Sequence, residues 1–346
     1  MNKICQAKTV LVTGGAGYIG SHIVVELLSL GYKVVVVDSL VNSSEIALER
    51  VADITNKEAI FYQADIRDKE KLQTIFSDEN IDGVIHMAGL KAVGESVSLP
   101  LKYFNANING FITLAEVMEE NGVHNLVFSS SATVYGDPEI VPVDEKAPLS
   151  ATNPYGRCKL IIEEMIQDLS VSNKKLRALS LRYFNPVGAH PSGLIGEDPA
   201  GIPNNLFPFI AQVAVGKREK LSVFGGDYET HDGTGVRDYI HVCDLAKGHV
   251  QALKYIFNLD KGVCESINLG TGNGYSVLDA VSAWRRATNR EIAYEIVERR
   301  PGDVAENYAN AQKAKDILEW EASLNLNDMC ASHWNWQHGN PNGYNQ

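Results

Sequence analysis

Tyr155 and Lys159 are the side chains whose types and spacing best suit acid–base chemistry. They lie four residues apart, so a helix would project both from one face, one turn apart. A nearby ammonium stabilises phenolate over phenol, so a tyrosine that is otherwise protonated near neutrality can act as a base. Upstream, a hydroxyl-rich run at 129–136 directly follows an apolar strand at 126–128. A Tyr/Lys pair preceded by a strand-end serine predicts proton transfer at a substrate hydroxyl.

A glycine-rich turn near the N-terminus is the second chemical element. Gly14, Gly17 and Gly20 directly follow a strand-like run, and an apolar pattern at helical spacing comes next. Such glycines let the backbone approach a pyrophosphate, which the helix N-terminus stabilises. The following strand ends at Asp38, where a carboxylate accepts hydrogen bonds from ribose hydroxyls and repels a 2′-phosphate, so NAD is favoured over NADP. Turn, serine and Tyr/Lys pair together predict hydride transfer between a nicotinamide and a hydroxyl-bearing carbon.

Strand-like and helix-like segments alternate through the first half of the chain. Strands are predicted at 9–13, 34–37, 59–62, 83–86, 126–128 and 176–182, with helices among them at 21–30, 69–77, 100–120 and from Pro154 onward. This alternation predicts an α/β fold with a Rossmann-type, doubly wound parallel sheet. His86 closes the fourth strand and is interpreted as structural.

The character of the chain changes past Phe184, where Gly, Pro and Asn become frequent. Irregular polar chain of this kind is typical of a substrate-binding region. We predict an NAD-binding domain at 1–184, to which segments near 236–257 and 266–270 return. A smaller α/β substrate-binding domain is predicted at 185–346.

Bulk composition excludes several classes of protein. A formal net charge of -12 over 346 residues argues against nucleic-acid binding, which needs clustered Lys and Arg. The five cysteines are odd in number and scattered, so we predict no metal site and no disulfide framework, and a reducing, cytoplasmic compartment. The most apolar run, 33–38, is far too short to span a bilayer, so no membrane partner is expected.

The chain resembles, nearly end to end, the extended short-chain dehydrogenase/reductases and, within them, the epimerases that act on UDP-sugars. The segments that carry the resemblance are 10–22, 88–96, 128–136, 183–193 and 233–241. The last two are long and unusual enough to separate these epimerases from neighbouring families. The resemblance implies reversible inversion at C4 of UDP-glucose and UDP-galactose through a 4-keto sugar, with transient hydride transfer to bound NAD, in galactose metabolism.

The resemblance also implies residue roles. Tyr155, as phenolate, would take the proton of the sugar 4-hydroxyl. Lys159 would hold the nicotinamide ribose and favour the phenolate. Ser131, with Thr133 nearby, would hydrogen-bond the reacting oxygen and stabilise its developing charge.

The remaining contacts are carried over by position. The cofactor contacts are expected at Gly14, Gly17, Tyr18, Ile19, Gly20, Asp38, Ser39, Asn42, Ser43, Asp65, Ile66, Met87, Ala88, Gly89, Lys91 and Phe184, besides Tyr155 and Lys159. The UDP-sugar contacts are expected at Asn185, Asn205, Ser222, Val223, Phe224, Arg237, Arg300, Asp303 and Asn307, besides Ser131, Thr133 and Tyr155. Arginine forks match phosphate oxygens and would neutralise the diphosphate.

Two departures from the family pattern bear on function. Ala106 and Asn107 stand where some members have two adjacent asparagines, which affects a possible cofactor contact. Asn307 stands where members that exclude N-acetylated sugars carry a tyrosine, so UDP-GlcNAc and UDP-GalNAc are expected as further substrates. The family also implies a homodimer through the helix at 100–120 and the helix of Tyr155.

Three other functions remain open from the sequence. A nucleotide-sugar dehydratase or decarboxylase shares the fold, but dehydratases usually carry acidic residues directly after the strand-end hydroxyl, where this chain has Ala132 and Thr133. A dehydrogenase or reductase that releases its cofactor has the same pattern. A non-catalytic NAD-binding protein would tend to lose the tyrosine or the lysine, and both are present.

Overall fold

The fold is taken from a computed structural model that describes residues 7–199, 201–300 and 303–345. The strands within these ranges are β1 (Thr9–Thr13), β2 (Lys33–Asp38), β3 (Ile60–Gln63), β4 (Gly83–His86), β5 (Asn125–Ser129), β6 (Arg177–Tyr183), β7 (Asn185–Val187), β8 (Leu221–Phe224), β9 (Val236–Arg237), β10 (Tyr239–His241), β11 (Val263–Leu269), β12 (Tyr275–Ser276), β13 (Tyr294–Val297) and β14 (Glu306–Asn307). The α-helices are α1 (Tyr18–Ser29), α2 (Ile46–Thr55), α3 (Lys69–Glu79), α4 (Val93–Ser98), α5 (Pro100–Tyr103), α6 (Gly110–Glu120), α7 (Pro154–Ser172), α8 (Leu206–Ala214), α9 (Val242–Phe257), α10 (Val277–Thr288), α11 (Gln312–Leu318) and α12 (Leu326–Gly339).

The largest sheet is parallel and has seven strands in the order β11-β6-β5-β4-β1-β2-β3. All five residues of β1 are buried, as expected for a central parallel strand covered on both faces. Leu11 of β1 pairs in register with Val35 on one side and Val84 on the other. The strand order reverses between β1 and β4, which creates the point where such sheets bind ligands. The predicted doubly wound parallel sheet is confirmed, with β11 as its seventh strand.

The chain divides into two compact units. The first comprises the described part of Met1–Ser129 together with Asn153–Ser180 and His249–Glu265. Its apolar core includes Leu11, Leu114 and Ile162, which come from β1, α6 and α7. Each fully buried aliphatic side chain of this kind contributes about 1.5–3 kcal/mol relative to exposure. The predicted assignment of ligands to domains stays a prediction.

The second unit comprises Ser130–Thr152, Leu181–Gly248 and the described part of Ser266–Gln346. It contains three small sheets, which pair β10 with β7, β9 with β12 and β14, and β13 with β8. Its aromatic core places Trp284 edge-on to Phe207, with ring centroids 5.8 Å apart. α10 begins with a capping box between Ser276 and Asp279, which satisfies backbone donors at its first turn.

The predicted helix over 100–120 is interrupted. α5 and α6 flank a π-helical segment, Phe104–Asn109. Asn107 in this segment accepts from the Leu90 amide at 2.8 Å and donates to the Leu90 carbonyl at 3.1 Å. Single π-helical turns often occur at functional sites. Within the described ranges, no helix combines the length and apolarity needed to cross a bilayer.

Candidate active site

The glycine turn lies at the carboxyl end of β1, in the first unit. Gly14 has a φ of +72°, and a Cβ there would lie 2.8 Å from the Ala88 nitrogen. A Cβ on Gly20 would overlap the Gly14 carbonyl, whereas Gly17 meets no protein atom closer than 3.3 Å. α1 begins after Gly17 without a side-chain cap, so its first N–H groups and positive dipole end suit an anion.

Asp38 ends β2 beside this turn and is buried. One carboxylate oxygen accepts from the Ala16 amide at 3.1 Å. The other accepts from the Leu40 amide at 2.9 Å and from the Ser43 hydroxyl at 2.7 Å. These three donors fix an acceptor group at the strand end, where a ribose diol would need it.

The segment that follows β4 borders the glycine turn. Thr13 Oγ1 accepts from the backbone amides of Met87 and Ala88, both at 3.2 Å. The Lys91 ammonium lies 5.9 Å from the centroid of the Tyr18 ring. The Asn107 side chain also bonds the backbone of Leu90 in this segment. The structure therefore brings the predicted residues of the two segments, 14–20 and 87–91, together.

His86 is held as a neutral, structural side chain. Its Nδ1 lies 2.8 Å from Thr13 Oγ1, and its ring stacks on Phe128 with centroids 5.8 Å apart. Burial, with a smaller contribution from the Lys159 charge, lowers the pKa of His86 to about 3. Because the His86 imidazole stays neutral and hydrogen-bonded, these contacts support a structural role for it.

The Tyr155/Lys159 pair lies in the first two turns of α7, both side chains buried. Asn153 caps this helix by accepting from the Gly156 amide at 2.9 Å, and Pro154 occupies the first turn. Lys159 Nζ donates to the Ser129 carbonyl at 2.7 Å and lies 5.8 Å from the Tyr155 ring centroid. A buried cation one helical turn from a phenol favours its ionised form.

The electrostatics of Lys159 follow from its burial. Loss of hydration lowers the pKa of its ammonium to about 8, against the opposing effects of Cys158 and Glu163. The lysine is therefore still charged at neutral pH and becomes neutral in mildly alkaline solution.

Replacing Lys159 by methionine is expected to change how stability depends on pH. Since the folded-state pKa of about 8 lies below the ordinary value of 10.5, the unfolded chain binds more protons between those values. Below pH 8 the buried charge of Lys159 lowers the free energy of unfolding by its full amount, and this effect disappears as the pH rises to about 10.5. Relative to Lys159→Met, the wild-type protein should gain about 3 kcal/mol of unfolding free energy over this window.

Urea denaturation of both proteins, at a series of pH values across the window, measures this difference. A difference that stays constant with pH would contradict a buried, charged Lys159.

Ser131 and Thr133 belong to the second unit. Ser131 caps a short 3-10 helix, Ala132–Tyr135, by accepting from the Thr133 amide at 3.2 Å. The two hydroxyls lie 3.0 Å apart. Such a pair can donate to, and accept from, one polar oxygen of a ligand.

Five of the predicted sugar-nucleotide residues are linked in the second unit. Arg237 on β9 lies opposite Asn307 on β14, and its Nη2 lies 4.0 Å from an Asp303 carboxylate oxygen. The Arg300 guanidinium lies 4.3 Å from the centroid of the Phe224 ring, and the Asp303 amide donates to the Arg300 carbonyl at 3.1 Å. The guanidinium groups of Arg237 and Arg300 have the shape and charge that suit phosphate oxygens of a diphosphate.

Other predicted residues lack such links. Asn205 donates to Glu197 at 2.9 Å, and Asp65 pairs with Arg67, whose hydrogen bond lowers the pKa of the Asp65 carboxyl. Ser222 and Val223 lie on β8, opposite Glu295 and Ile296 of β13, and Val223 is buried. For five further predicted residues, all within the described ranges, we identify no side-chain contact to the groups above. They are Ser39, Asn42, Ile66, Phe184 and Asn185.

Sequence reasoning missed several residues that hold the site. Ser129 supplies the carbonyl that binds Lys159, while its hydroxyl lies 2.8 Å from His249 Nε2. Thr13 accepts from the Ala88 amide in the segment after β4, and Ser96 accepts from the Tyr155 amide of α7. The sequence shows these residues only as small hydroxyl side chains, without their partners. The four described cysteines, Cys158, Cys243, Cys264 and Cys330, are free thiols, and Cys5 lies outside the described residues.

Comparisons with known proteins agree with this geometry. A family model described as GDP-mannose 4,6 dehydratase matches residues 11–333. The UDP-glucose 4-epimerase of Bacillus subtilis (strain 168) is 57% identical over 335 residues, which cover 97% of this chain and 98% of that protein. The crystal structure of the Stenotrophomonas maltophila UDP-glucose 4-epimerase, with bound NAD and formylated UDP-arabinopyranose, shares 50% identity and a TM-score of 0.94, covering 96% of this chain and 98% of that one. The Bifidobacterium longum UDP-glucose 4-epimerase, in complex with NAD+ and UDP, shares 52% identity and a TM-score of 0.93, covering 97% and 100%.

A glycine turn at the switch point of a doubly wound sheet and a buried Tyr/Lys pair on a helix define an extended short-chain dehydrogenase/reductase. The chain belongs to the family of the matching model and, within it, to the UDP-glucose 4-epimerases. The family resemblance stated from the sequence is thereby confirmed.

Proposed function

We propose that this chain interconverts UDP-glucose and UDP-galactose by inverting C4 of the sugar through a 4-keto intermediate, with NAD as the cofactor. The observation that carries the proposal is the buried Lys159 ammonium, held by the Ser129 carbonyl one helical turn from Tyr155. The epimerase relatives, similar over nearly the whole chain, support this reaction over others on the same fold.

The first unit suits NAD by three observations. The glycine turn admits no Cβ at Gly14 or Gly20, the N-terminus of α1 has no side-chain cap, and Asp38 presents a fixed carboxylate. We propose that these groups hold the pyrophosphate and the adenosine ribose, and that residues 87–91 and Lys159 hold the nicotinamide half. When bound, NAD supplies a reversible acceptor for the C4 hydride.

The chain's own residues would manage the proton. Tyr155, as phenolate, takes the proton of the 4-hydroxyl as the C4–O bond becomes a carbonyl, and returns it after the sugar has turned. Lys159 stabilises the phenolate by its charge. Ser131 hydrogen-bonds the same oxygen in this proposal, supported by its place two residues after Ser129 and by the adjacent Thr133 hydroxyl.

We propose that Arg237 and Arg300 bind the UDP diphosphate. Arg299, which precedes Arg300, is already paired with a carboxylate, because its Nε donates to Asp227 at 2.7 Å. Among the described residues, Arg300 has no carboxylate within ion-pair distance. Its planar group rests on Phe224 and can therefore present its fork to phosphate oxygens.

Arg300→Lys is expected to raise KM for UDP-galactose about tenfold with a smaller change in kcat, because lysine loses both the fork and the stacking on Phe224. Steady-state kinetics measure this. Arg299→Lys is the matched control and should leave KM within about twofold of wild type. Equal effects of the two changes would contradict a phosphate role for Arg300.

We further propose that N-acetylated UDP-sugars are substrates. Asn307 is half-buried beside Arg237, and its Oδ1 is buried without a hydrogen-bond partner among the described residues. A small amide at this place supports room for a 2-acetamido group.

The family model carries the description of a dehydratase, which makes that reaction the second candidate. Elimination of water needs an acid and a base beside the sugar. The positions after Ser131 are Ala132, which is buried, and Thr133, which bonds Ser131, and neither carries a carboxyl group. These observations favour epimerisation.

A homodimer through 100–120 and the Tyr155 helix is also part of the proposal. Leu101, within this run, is 78% exposed, and Val97, just before it, is 62% exposed, so apolar side chains are available to a partner. A cytoplasmic location stays a prediction.

The test of function is incubation of the purified protein with UDP-galactose, without added cofactor. Chromatography follows UDP-glucose, and absorbance follows NADH. Conversion without accumulation of NADH is the expected result and indicates retained NAD. Stoichiometric release of NADH would indicate a dehydrogenase, and no conversion even with added NAD would contradict the proposal.

A further inference from the structure

The start of α7 is tied to α4 by a buried serine. Tyr155 is the first residue of this helix with a backbone N–H, since Pro154 has none, and N–H groups of a first turn lack partners within the helix. The Tyr155 N–H donates to Ser96 Oγ at 3.2 Å. Ser96 is fully buried, and its own hydroxyl donates to the Val93 carbonyl at 2.6 Å.

The helix that carries Ser96 is itself fixed. Glu95 Oε1 pairs with Lys102 at 2.8 Å, and Glu95 Oε2 accepts from the Tyr103 hydroxyl at 2.7 Å. That hydroxyl in turn accepts from the Ala92 amide at 3.1 Å. Tyr103 is fully buried and packs in one cluster with Tyr155 and Cys158. The hydrogen bonds of Ala92 and Glu95 to Tyr103 therefore tie α4 to α5 and fix the segment from which the Ser96 hydroxyl reaches α7.

We propose that Ser96 is a positioning residue for the reaction: through its bond to the Tyr155 backbone it sets the place of the phenol relative to Lys159. The ring lies 5.8 Å from the Lys159 ammonium, which the Ser129 carbonyl holds independently. A shift of the first turn of α7 therefore moves the Tyr155 phenol and leaves the Lys159 ammonium in place. Because the attraction between charges falls with distance, a displaced phenol ionises less readily.

The inference rests on the proposed function and predicts a specific kinetic change. Ser96→Cys keeps nearly the volume of the side chain but offers only a weak acceptor to the Tyr155 amide. We expect kcat to fall about tenfold with KM for UDP-galactose unchanged, since a small misplacement of a reacting group is costly in rate. The acid limb of the kcat–pH profile should move to higher pH, because the phenol loses part of its stabilisation by Lys159.

The shift of the pH profile separates positioning from loss of folded protein, which would lower kcat by the same factor at every pH. Ser96→Ala is the second variant, and Ser98→Ala, an exposed serine of the same helix, is its matched control and should behave as wild type. An unmoved profile in Ser96→Cys, with or without a uniform loss of kcat, would overturn the inference. Wild-type activity on UDP-galactose is measured first, because its absence would refute the proposed function, and the inference with it, before any variant is compared.

Discussion

Tyr155→Phe is expected to lower kcat for UDP-galactose by about 10³-fold, since it removes the group that carries the proton. The ring keeps its packing with Tyr103 and Cys158, so the folded state and its affinity for UDP should be retained. Lys159 stays in place through its bond to the Ser129 carbonyl. Chromatography of the UDP-sugars gives the rate, and calorimetric titration with UDP gives the affinity.

Tyr62→Phe serves as the control for loss of a phenol hydroxyl in the same unit. Tyr62 lies on β3, and its hydroxyl donates to Glu79 at 2.6 Å, outside the proposed site. Its variant should keep the wild-type kcat. A Tyr155→Phe enzyme with more than about a tenth of wild-type activity would show that another group takes the proton.

Asn307→Tyr is expected to narrow specificity by lowering kcat/KM for UDP-GlcNAc and UDP-GalNAc while sparing UDP-galactose. The register places residue 307 directly opposite Arg237, so a phenol ring there would fill the space proposed for the acetamido group. Overfilling a pocket costs about 1–3 kcal/mol, which corresponds to about a 5- to 150-fold loss of kcat/KM for the N-acetylated pair. The ratio of kcat/KM values for the two sugar pairs is the measurement.

Asn307→Ala is the companion variant and should keep both activities, because it removes atoms and adds none. If purified wild-type enzyme turns over UDP-galactose normally but leaves both N-acetylated sugars unchanged, the proposal that N-acetylated UDP-sugars are substrates is wrong. If Asn307→Tyr loses activity on both pairs of UDP-sugars equally, residue 307 is needed for the structure of the site and does not select among sugars.

The sequence was sufficient where the signal is local. The glycine spacing at 14–20, the strand that ends at Asp38 and the four-residue step from Tyr155 to Lys159 are short-range patterns, and each predicts backbone geometry directly. Alternating strands and helices predicted the doubly wound sheet for the same reason. The family followed because long segments such as 233–241 resemble one group of proteins.

The sequence did not reveal the interruption of a predicted helix. The run 100–120 has helical character throughout, yet Asn107 bonds to the backbone of Leu90 and the chain forms a π-helical turn there. The partner that stabilises this turn lies 17 residues away along the chain, so no pattern within the helix records it.

What the sequence determined by itself is therefore the set of chemical groups and the elements that carry them. Only the tertiary structure decided how these groups are held: Lys159 by a backbone carbonyl, the Tyr155 helix by Ser96, and Asn307 by its register with Arg237. The physical reason is that every residue carries a backbone carbonyl, so the sequence does not mark the one that binds Lys159. In addition, partners 30, 59 and 70 positions apart in the sequence meet only after the chain has folded.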